Sequence, residues 1–388
     1  FIDRRKKLKQ KITRFFRRYR LRDYKFSLVI LVLILSILGI LVVGSAQESV
    51  QSKQIIGVVL GVILMVVISL IDYRWVLNLY WLLYVVNIIL LIAVFFFGVE
   101  VNGAKRWLDL GFTRFQPSDL TKIITILFYA KFLMEREHKI HNKKTILEAI
   151  GLILPSLALI YKQPNLSNTI CLAALFCFIL YLGGLSYRII GTVFAIVVPV
   201  AVIFLSIVVQ PDQKLVEPYQ QKRILAWLEP EKYKTEDAYQ QLNSVMAIGS
   251  GQLTGKGLNN NTTTSVKNGN FISEPQTDFI FAIIGEELGF VGCCIVIILL
   301  LLIVIECILI GRNARDSGGR LICGGVAALI GIQSFINISV ATMIFPNTGL
   351  SLPFVSYGLT SVITFFIGIG FVLNVGLQSD KHSRISIL

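Results

Sequence analysis

Apolar runs long enough to cross a lipid bilayer recur along the whole chain, and this repetition constrains the fold more than any other feature. About 20 apolar residues in a helix span the roughly 30 Å hydrocarbon core of a membrane. The 388 residues are 55% hydrophobic and only 15% charged, whereas a typical soluble domain carries roughly 25% charge. We therefore predict an all-α, polytopic membrane protein.

The runs predict about ten transmembrane helices, with boundaries placed to within a few residues. The predicted helices cover 26–46, 54–72, 75–98, 117–134, 146–161, 168–186, 189–209, 287–310, 321–344 and 357–377. They predict three regions, which are a basic segment 1–25, a membrane domain 26–378 that includes a large extracellular loop 210–278, and a tail 379–388.

Lysine and arginine are unequally distributed along the chain. Twelve of the 37 lie between Arg4 and Lys25, before the first predicted helix. Such a cluster beside a membrane helix binds anionic lipid headgroups, so the net charge of +14 indicates membrane lipids rather than nucleic acid as the partner. Nine further cations fall on the predicted inner connections and five on the short outer ones. The positive-inside rule then places both termini in the cytoplasm, and no cleavable signal peptide is expected.

The most informative stretch runs from Ser273 to Gly289, where the long polar loop meets an apolar run. Asp278 is the last polar residue before that run, so we expect its carboxylate at the membrane–water boundary. Low-dielectric surroundings raise the proton affinity of a carboxylate, which suits a base acting on a membrane-anchored substrate. The alternative is that Asp278 only caps or charges the first turn of a helix.

Histidine is not available for chemistry at the predicted outer face. His138, His141 and His382 all fall on the inner side. Acid–base work outside then depends on carboxylates, lysines or tyrosines, and a histidine-ligated zinc site on that face is excluded. The six cysteines lie in apolar runs, so we expect neither a disulfide framework nor a cysteine metal site.

Two outer segments near the fourth predicted helix carry candidate ligand-binding residues. Lys105 and Arg106 lie among aromatic residues, a pattern compatible with anchoring in the headgroup region or with binding a diphosphate. Asp119 and Lys122 follow at i, i+3 on one face of the helix. Charges inside a membrane helix pair with each other or face a cavity, so both a structural ion pair and a cavity-lining pair are open interpretations.

The long outer loop is nearly neutral, with seven Lys and Arg against eight Asp and Glu between Asp212 and Asp278. It is therefore not a general basic patch, and individual cations such as Arg223 and Lys256 become candidates. Glycines around Lys256 would let backbone N–H groups approach an anion closely, although they equally suit an ordinary flexible loop.

The last outer loop runs from Phe345 to Gly358. Its Pro and Gly spacing predicts a rigid loop packed against the mouth of a cavity. In the preceding helix, Gln333 and Asn337 are polar groups at membrane depth that need hydrogen-bond partners. Near Pro164, an Asn or Ser is available to cap the next helix.

Several of these blocks occur together in the order of one known family. The matching blocks are 102–107, 116–119 with Lys122, 247–257, 277–281 through 285–289, and 353–358. On these residues the chain resembles the SEDS proteins (RodA, FtsW and SpoVE), which are membrane peptidoglycan polymerases of elongation, division and sporulation. The resemblance implies ten transmembrane helices, a bacterial cytoplasmic membrane, and polymerisation of lipid II, an undecaprenyl-diphosphate-linked disaccharide-pentapeptide.

The resemblance also implies roles for individual residues. The essential aspartate of the family falls on Asp278, its acid–lysine pair on Asp119 and Lys122, and its loop arginine on Arg223. Further candidate substrate-binding residues are Lys105, Arg106, Lys256 and Ser356. A divalent cation, Mg²⁺ or Mn²⁺, is a candidate cofactor with no predicted ligands. The expected protein partner is a class B penicillin-binding protein, whose transpeptidase crosslinks the new glycan.

Two positions depart from the family pattern. Asn165 stands where the family often has an aspartate, so no charged role is carried over to it. Leu359 follows Ser356-Tyr357-Gly358 where a second glycine is common, and it lacks the backbone freedom of glycine.

Three functions are compatible with these features. In a glycosyltransferase, Asp278 would be the general base for attack of the acceptor C4 hydroxyl on the anomeric carbon of the growing chain. Cations such as Arg223 would then offset charge on the leaving diphosphate. The alternatives are a lipid II flippase, which the outer-face position of these residues and the lack of a visible sequence repeat disfavour, and a non-catalytic scaffold for a penicillin-binding protein.

Overall fold

The chain folds into a bundle of long helices, as seen in a computed structural model. The structure describes residues 24–378 except for 102–103, 110, 112–113, 187–190, 192–194, 196–198, 200–201, 211–215, 217, 234–237, 260–271 and 273. Almost all of the basic segment 1–25, the tail 379–388 and much of the predicted helix 189–209 therefore lie outside the described residues.

The described part of the chain contains the following elements in order. They are α1 (Phe26–Ala46), α2 (Glu48–Leu70), α3 (Tyr73–Asn78), α4 (Tyr80–Phe97), β1 (Gly98–Val101), β2 (Ala104–Asp109), β3 (Arg114–Phe115), α5 (Pro117–Glu135), a 3₁₀ turn (Glu137–Lys139), α6 (Lys143–Lys162), α7 (Leu166–Leu182), a helical segment over 202–208, α8 (Pro218–Leu228), α9 (Tyr239–Ser250), α10 (Ile280–Arg312), α11 (Ser317–Ala341) and α12 (Leu359–Leu377).

Among the described helices, seven are long and apolar enough to cross a membrane, namely α1, α2, α4, α6, α10, α11 and α12. Helix α7 is apolar but only 17 residues long. Helix α5 has 19 residues and carries the charged side chains of Asp119, Lys122, Lys131 and Glu135. The chain is thus an all-α, multi-pass membrane protein, while the number of ten spans stays a prediction.

Helix α5 lies at the centre of the bundle, where its apolar side chains from Ile123 to Leu133 are buried. Helix α4 lies at the periphery, where Phe96 and Phe97 are 77% and 76% exposed. Because lipid tails are as apolar as leucine, exposed aromatic and aliphatic side chains on peripheral helices carry no penalty in a membrane. Charges buried on α5 must instead find partners within the protein.

Small residues allow the first helices to approach the last one closely. A Cβ atom added at Gly39 would lie 2.8 Å from the carbonyl oxygen of Phe354, and one at Gly61 would lie 2.3 Å from the ring of Phe366. Such contacts between glycine and a neighbouring helix or loop are a main source of packing energy in membranes. They bring α1 and α2 against α12 and the loop before it.

Helix α10 begins seven residues earlier than predicted and contains a break. The sequence prediction started the helix at Glu287, although Asp278 is the last polar residue before the apolar run. In the structure, 280–287 are already helical and buried, and the backbone of Gly289 breaks the helix with φ 66° and ψ −165°. The short outer half of α10 therefore lies inside the protein, directly after Asp278.

A three-stranded antiparallel sheet, in the order β1-β2-β3, follows α4. The sequence analysis did not predict it. Val101 pairs with Ala104, which leaves the two-residue connection 102–103. Its Asn-Gly sequence is a strong hairpin signal that the interpretation of this segment as a headgroup-region segment overlooked. A register shift falls between Val99 and Glu100.

The large outer loop contains two helices that pack on the membrane domain. Helix α8 packs on the segment 202–208, and the side-chain amide of Gln221 donates to the carbonyls of Val208 and Gln210. Helix α9 packs on the outer half of α10 and on α11, where the Ser244 hydroxyl donates to the carbonyl of Ala341 at 2.7 Å. These contacts fix both helices beside Asp278.

Candidate active site

A cavity of about 680 Å³ opens where the sheet, α5, α8, α11 and the last outer loop meet. Its described wall carries four cationic and four acidic side chains. These are Lys53, Arg106, Arg114, Arg223, Asp109, Asp119, Glu274 and Asp278. The structure thus brings together four of the residues singled out from the sequence, which come from three helices or strands and one loop.

Asp278 lies two residues before α10 and is partly buried. The residue at the N-cap position is Phe279, and no side chain caps the helix there. Asp278 therefore does not cap α10. Burial raises the pKa of the Asp278 carboxyl above its usual value. The charges of Arg223 and Arg106 lower that pKa, and Glu274 raises it.

Ser356 supports the segment that carries Asp278 from behind. Its hydroxyl donates to the carbonyl of Thr277 and accepts from the N–H of Leu352, both at 2.7 Å. The N–H of Tyr357 donates to the carbonyl of Gln276 at 2.8 Å. The Ser356 side chain is 1% exposed and lies behind the cavity wall, so its geometry supports the loop rather than contacts with a ligand.

Arg223 and Arg106 approach the cavity from different elements. Arg223 lies on α8, and Arg106 lies on β2 at a bulge where Trp107 pairs with Val99 and Lys105 pairs with Glu100. Bulges redirect side chains next to binding sites, and here the Arg106 guanidinium lines the cavity while donating to the carbonyl of Pro164. Lys105 is exposed and does not belong to the described wall.

The Asp119–Lys122 pair satisfies both interpretations left open by the sequence. Pro117 occupies the first turn of α5. One oxygen of Asp119 accepts from the Lys122 ammonium at 3.0 Å, and Lys122 also donates to the side-chain oxygen of Gln333 at 3.0 Å. Asp119 lines the cavity, whereas Lys122 is 2% exposed behind it. The ion pair is therefore structural, and the carboxylate of Asp119 is its cavity-facing member.

Asn165 caps helix α7 through its side-chain oxygen, a role that needs no charge. Its side-chain oxygen accepts from the N–H of Asn168 at 3.3 Å. The side chain of Asn168 in turn donates to the hydroxyl of Ser118 on α5 at 3.2 Å. The predicted cap is thus confirmed, and it ties α7 to the start of α5.

Lys256 does not present a nest of backbone donors to an anion, which was one of the two interpretations that the sequence left open. The N–H groups of Lys256 and Gly257 donate to the carbonyls of Glu286 and Glu287 at 3.0 and 2.9 Å. The Lys256 ammonium pairs with the buried carboxylate of Glu286 at 2.9 Å. The backbone N–H groups and the ammonium of this segment therefore bind α10 next to its break. Lys256 lies outside the described wall of the cavity.

The described residues do not form a protein-held metal site. Among them, no group of three or more His, Cys, Asp and Glu side chains is placed to bind a metal ion. Glu274 and Asp278 share the cavity wall with three arginines, whose charges disfavour a further cation nearby. The prediction of Mg²⁺ or Mn²⁺ stays a prediction, and the chemistry below is derived from the side chains.

Four charged residues of the wall were not selected from the sequence. Asp109 ends β2, Arg114 lies on β3, Lys53 lies in the second turn of α2, and Glu274 precedes Asp278 by four residues. The sequence places Arg114 and Lys53 on short outer connections, which was a usable signal. Their approach to the cavity depends on the sheet and on the contact between α2 and α12, neither of which the residue pattern reveals.

Comparisons with known proteins agree on one family. A sequence model of the family FTSW_RODA_SPOVE, described as "Cell cycle protein", matches residues 22–381. The peptidoglycan glycosyltransferase MrdB of Escherichia coli (strain K12) is 34% identical over 364 residues, which cover 92% of this chain and 95% of that protein. The probable peptidoglycan glycosyltransferase FtsW of Nitrosomonas europaea is 32% identical over 304 residues, which cover 77% of this chain and 75% of that protein.

Solved structures share the fold. RodA of Thermus thermophilus, a rod shape determining protein, superimposes with a TM-score of 0.66 at 26% identity, covering 91% of this chain and 96% of that chain. A chain from a structure on the coordination of polymerization and crosslinking by a peptidoglycan synthase complex gives a TM-score of 0.75 at 28% identity, covering 94% of this chain and 99% of that chain. The chain therefore belongs to the FtsW, RodA and SpoVE family of cell cycle proteins.

Proposed function

We propose that this chain is a peptidoglycan glycosyltransferase that polymerises lipid II at the outer face of the bacterial cytoplasmic membrane. The observation that carries the proposal is the position of Asp278. Its partly buried carboxylate lies on the wall of a charged cavity, at the start of an apolar helix and within the field of Arg223 and Arg106. The names of MrdB and FtsW support the class of reaction.

Asp278 acts as the general base. The C4 oxygen of the acceptor sugar forms a bond to the anomeric carbon of the growing chain, and its proton passes to the Asp278 carboxylate. Because burial raises the pKa of this carboxyl, its ionised form accepts a proton more readily than an exposed aspartate does. General base catalysis by a positioned group typically contributes about 10²- to 10⁴-fold to the rate.

The cations of the wall stabilise the leaving group. When the bond between the anomeric carbon and the diphosphate oxygen breaks, negative charge develops on undecaprenyl diphosphate. Arg223 and Arg106 lie on the same wall as Asp278, and fixed cations in a partly water-excluded site stabilise developing charge strongly. Lys53 and Arg114 extend this cationic surface.

The charge distribution supports an orientation in the membrane, and the comparisons support a protein partner. The cationic bias of the inner connections supports cytoplasmic termini, which places the cavity outside. A class B penicillin-binding protein is the proposed partner, since one related chain comes from a complex that coordinates polymerization and crosslinking. The enzyme then serves growth of the wall in elongation, division or sporulation.

The decisive measurement is polymerisation of purified lipid II in detergent by wild type and Asp278→Asn, with a class B penicillin-binding protein supplied. We expect long glycan from wild type and a loss of about 100-fold or more in the variant, because the amide cannot accept the proton. Glu229→Gln is the matched control, since Glu229 is half-exposed in the outer loop and pairs with Lys232. Equal polymer from wild type and Asp278→Asn would remove Asp278 from the mechanism, and no polymer from a folded wild type would favour a flippase or a scaffold.

A further inference from the structure

The segment 349–351 forms the wall beside Asp278. Gly349, Leu350 and Ser351 all line the cavity. Gly349 has a φ of 70°, and a Cβ atom at this residue would lie 3.3 Å from one carboxylate oxygen of Asp278. The direction of the carboxylate therefore depends on where this segment lies.

Two buried amides on α11 hold the segment in place. The side-chain amide of Asn337 donates to the carbonyl of Leu350 at 2.7 Å and to the carbonyl of Asp278 itself at 2.9 Å. One turn earlier, the side-chain amide of Gln333 donates to the carbonyl and the hydroxyl of Ser351 at 3.0 and 3.2 Å. Both side chains are 1% exposed, so the two amides are largely shielded from water.

The Asp119–Lys122 pair determines which way the Gln333 amide points. The Lys122 ammonium can only donate, and it binds the side-chain oxygen of Gln333 at 3.0 Å. The NH₂ group of Gln333 must then face Ser351. The charge pair on α5 is thus connected through one uncharged side chain to the segment that lies against Asp278.

The side chain of Asn337 has one unfavourable feature, and the two hydrogen bonds that its NH₂ group donates explain why an amide is present. Its side-chain oxygen is buried without a hydrogen-bond partner among the described residues, and an unsatisfied buried acceptor is unfavourable. An apolar residue of the same size would avoid that cost. The amide is useful at this position because one NH₂ group binds the backbone of Leu350 and of Asp278 at the same time.

We propose that Gln333 and Asn337 are positioning residues of the polymerisation reaction, which hold segment 349–351 against Asp278 and thereby direct its carboxylate towards the acceptor hydroxyl. This inference rests on the proposed role of Asp278 as the base. Neither amide is charged, so replacing them changes the geometry of the site and leaves its charges in place. The charged groups that act on Asp278 are Arg223 from α8, Arg106 from β2 and Glu274 from its own loop.

The test compares Asn337→Leu and Gln333→Met with wild type and with a control on the same helix, Ser334→Ala. The Ser334 hydroxyl is buried and makes no hydrogen bond in the described structure, so its removal leaves the segment in place. We expect kcat for lipid II polymerisation to fall on the order of 10- to 100-fold in the two amide variants, since small misplacements of a catalytic group are costly. KM should stay within about twofold, because both amides are uncharged and 1% exposed, whereas the cations that would hold the substrate diphosphate, Arg223 and Arg106, are left unchanged.

Two further readouts separate positioning from general stability. Hydrogen–deuterium exchange should become faster in a peptide covering 349–352 in both amide variants and stay at the wild-type rate in Ser334→Ala. The acid limb of the kcat–pH profile should move to lower pH, because a loosened segment exposes the Asp278 carboxyl to water. Wild-type exchange and an unmoved acid limb, even with reduced activity, would overturn the proposal.

Asp278→Asn measured in parallel distinguishes this inference from the proposed function. If Asp278→Asn is inactive while both amide variants match wild type in kcat, exchange and acid limb, only the positioning role is overturned. If Asp278→Asn is fully active, the base assignment is overturned, and the positioning role with it.

Discussion

At the scale of single residues, burial and neighbouring charges act in opposite directions on the pKa of Asp278, and mutation can separate them. Burial raises the pKa of its carboxyl, Arg223 lowers it and Glu274 raises it. The base must be ionised to accept a proton, so activity falls as the pH drops through the pKa of the folded protein. Because that pKa is raised, the acid limb should lie above the pH at which an ordinary aspartate titrates, about 3.9.

Arg223→Gln and Glu274→Gln should move that limb in opposite directions. Removal of the Arg223 charge raises the pKa of Asp278 and moves the acid limb to higher pH, whereas removal of the Glu274 charge moves it to lower pH. Both shifts are measured as kcat against pH with saturating lipid II. Shifts of the same sign in both variants would show that another group controls the profile.

The charged residues show how far sequence reasoning reaches at this scale. Asp278 was predictable because it ends a polar loop before an apolar run, and its place in the cavity agrees with that position. For Lys256 the sequence left an anion nest and an ordinary loop open, and in the structure its backbone N–H donates to a carbonyl of the broken helix. A sequence does not reveal which backbone acceptors lie nearby in space.

At the scale of elements, the break in α10 is held open by an inserted loop. The N–H groups of Phe290 and Val291 donate to the carbonyls of Gln252 and Leu253, and two N–H groups of the loop donate back to α10. These four bonds satisfy backbone groups that a break inside a helix would otherwise leave unpaired. They also fix the outer half of α10, and with it the start of the helix next to Asp278.

Gly289→Ala should disrupt this arrangement. The residue has a φ of 66°, and a Cβ atom would lie 2.3 Å from the backbone nitrogen of Gly255. We expect a loss of stability of about 1–3 kcal/mol from backbone strain, and reduced polymerisation, measured by thermal unfolding and by glycan yield. Gly331→Ala on α11 is the control, since nothing lies within 4 Å of its added Cβ. A Gly289→Ala protein as stable and active as this control would show that the break is not required.

The long helices were predictable because each needs only an apolar run, and most predicted bounds lie within a few residues of the observed ones. The sheet and the early start of α10 were not predicted. The sheet depends on the Asn-Gly pair between β1 and β2, a local signal that a hydropathy profile does not show. The early start of α10 depends on Glu286 and Glu287, whose side chains bind Lys256 and Ser45 inside the protein. A charged residue can mark a boundary or a buried partner, and only the fold distinguishes the two.

At the scale of the whole molecule, the bundle closes where α2 meets α12. A Cβ atom at Gly61 would lie 2.3 Å from the Phe366 ring, so Gly61→Ala should lower the thermal stability. In a protein that already carries Phe366→Ala, Gly61→Ala should lower the free energy of unfolding by a smaller amount. The difference is the coupling free energy, which is about 0.5–3 kcal/mol for residues in contact. A double-mutant cycle of unfolding measures this coupling, and additive effects would show that the two helices do not pack through this pair.

The closure of the bundle also has a consequence for how the protein is made. Lys53 on α2 and Ser361 on α12 line the same cavity, and Gln54 on α2 donates to the carbonyl of Ser356 just before α12. Membrane helices leave the ribosome in order, so a nascent chain that lacks its last helix has an incomplete cavity. A chain stalled or cut short during translation should therefore be inert, and no unfinished copy would extend glycan before its synthesis is complete.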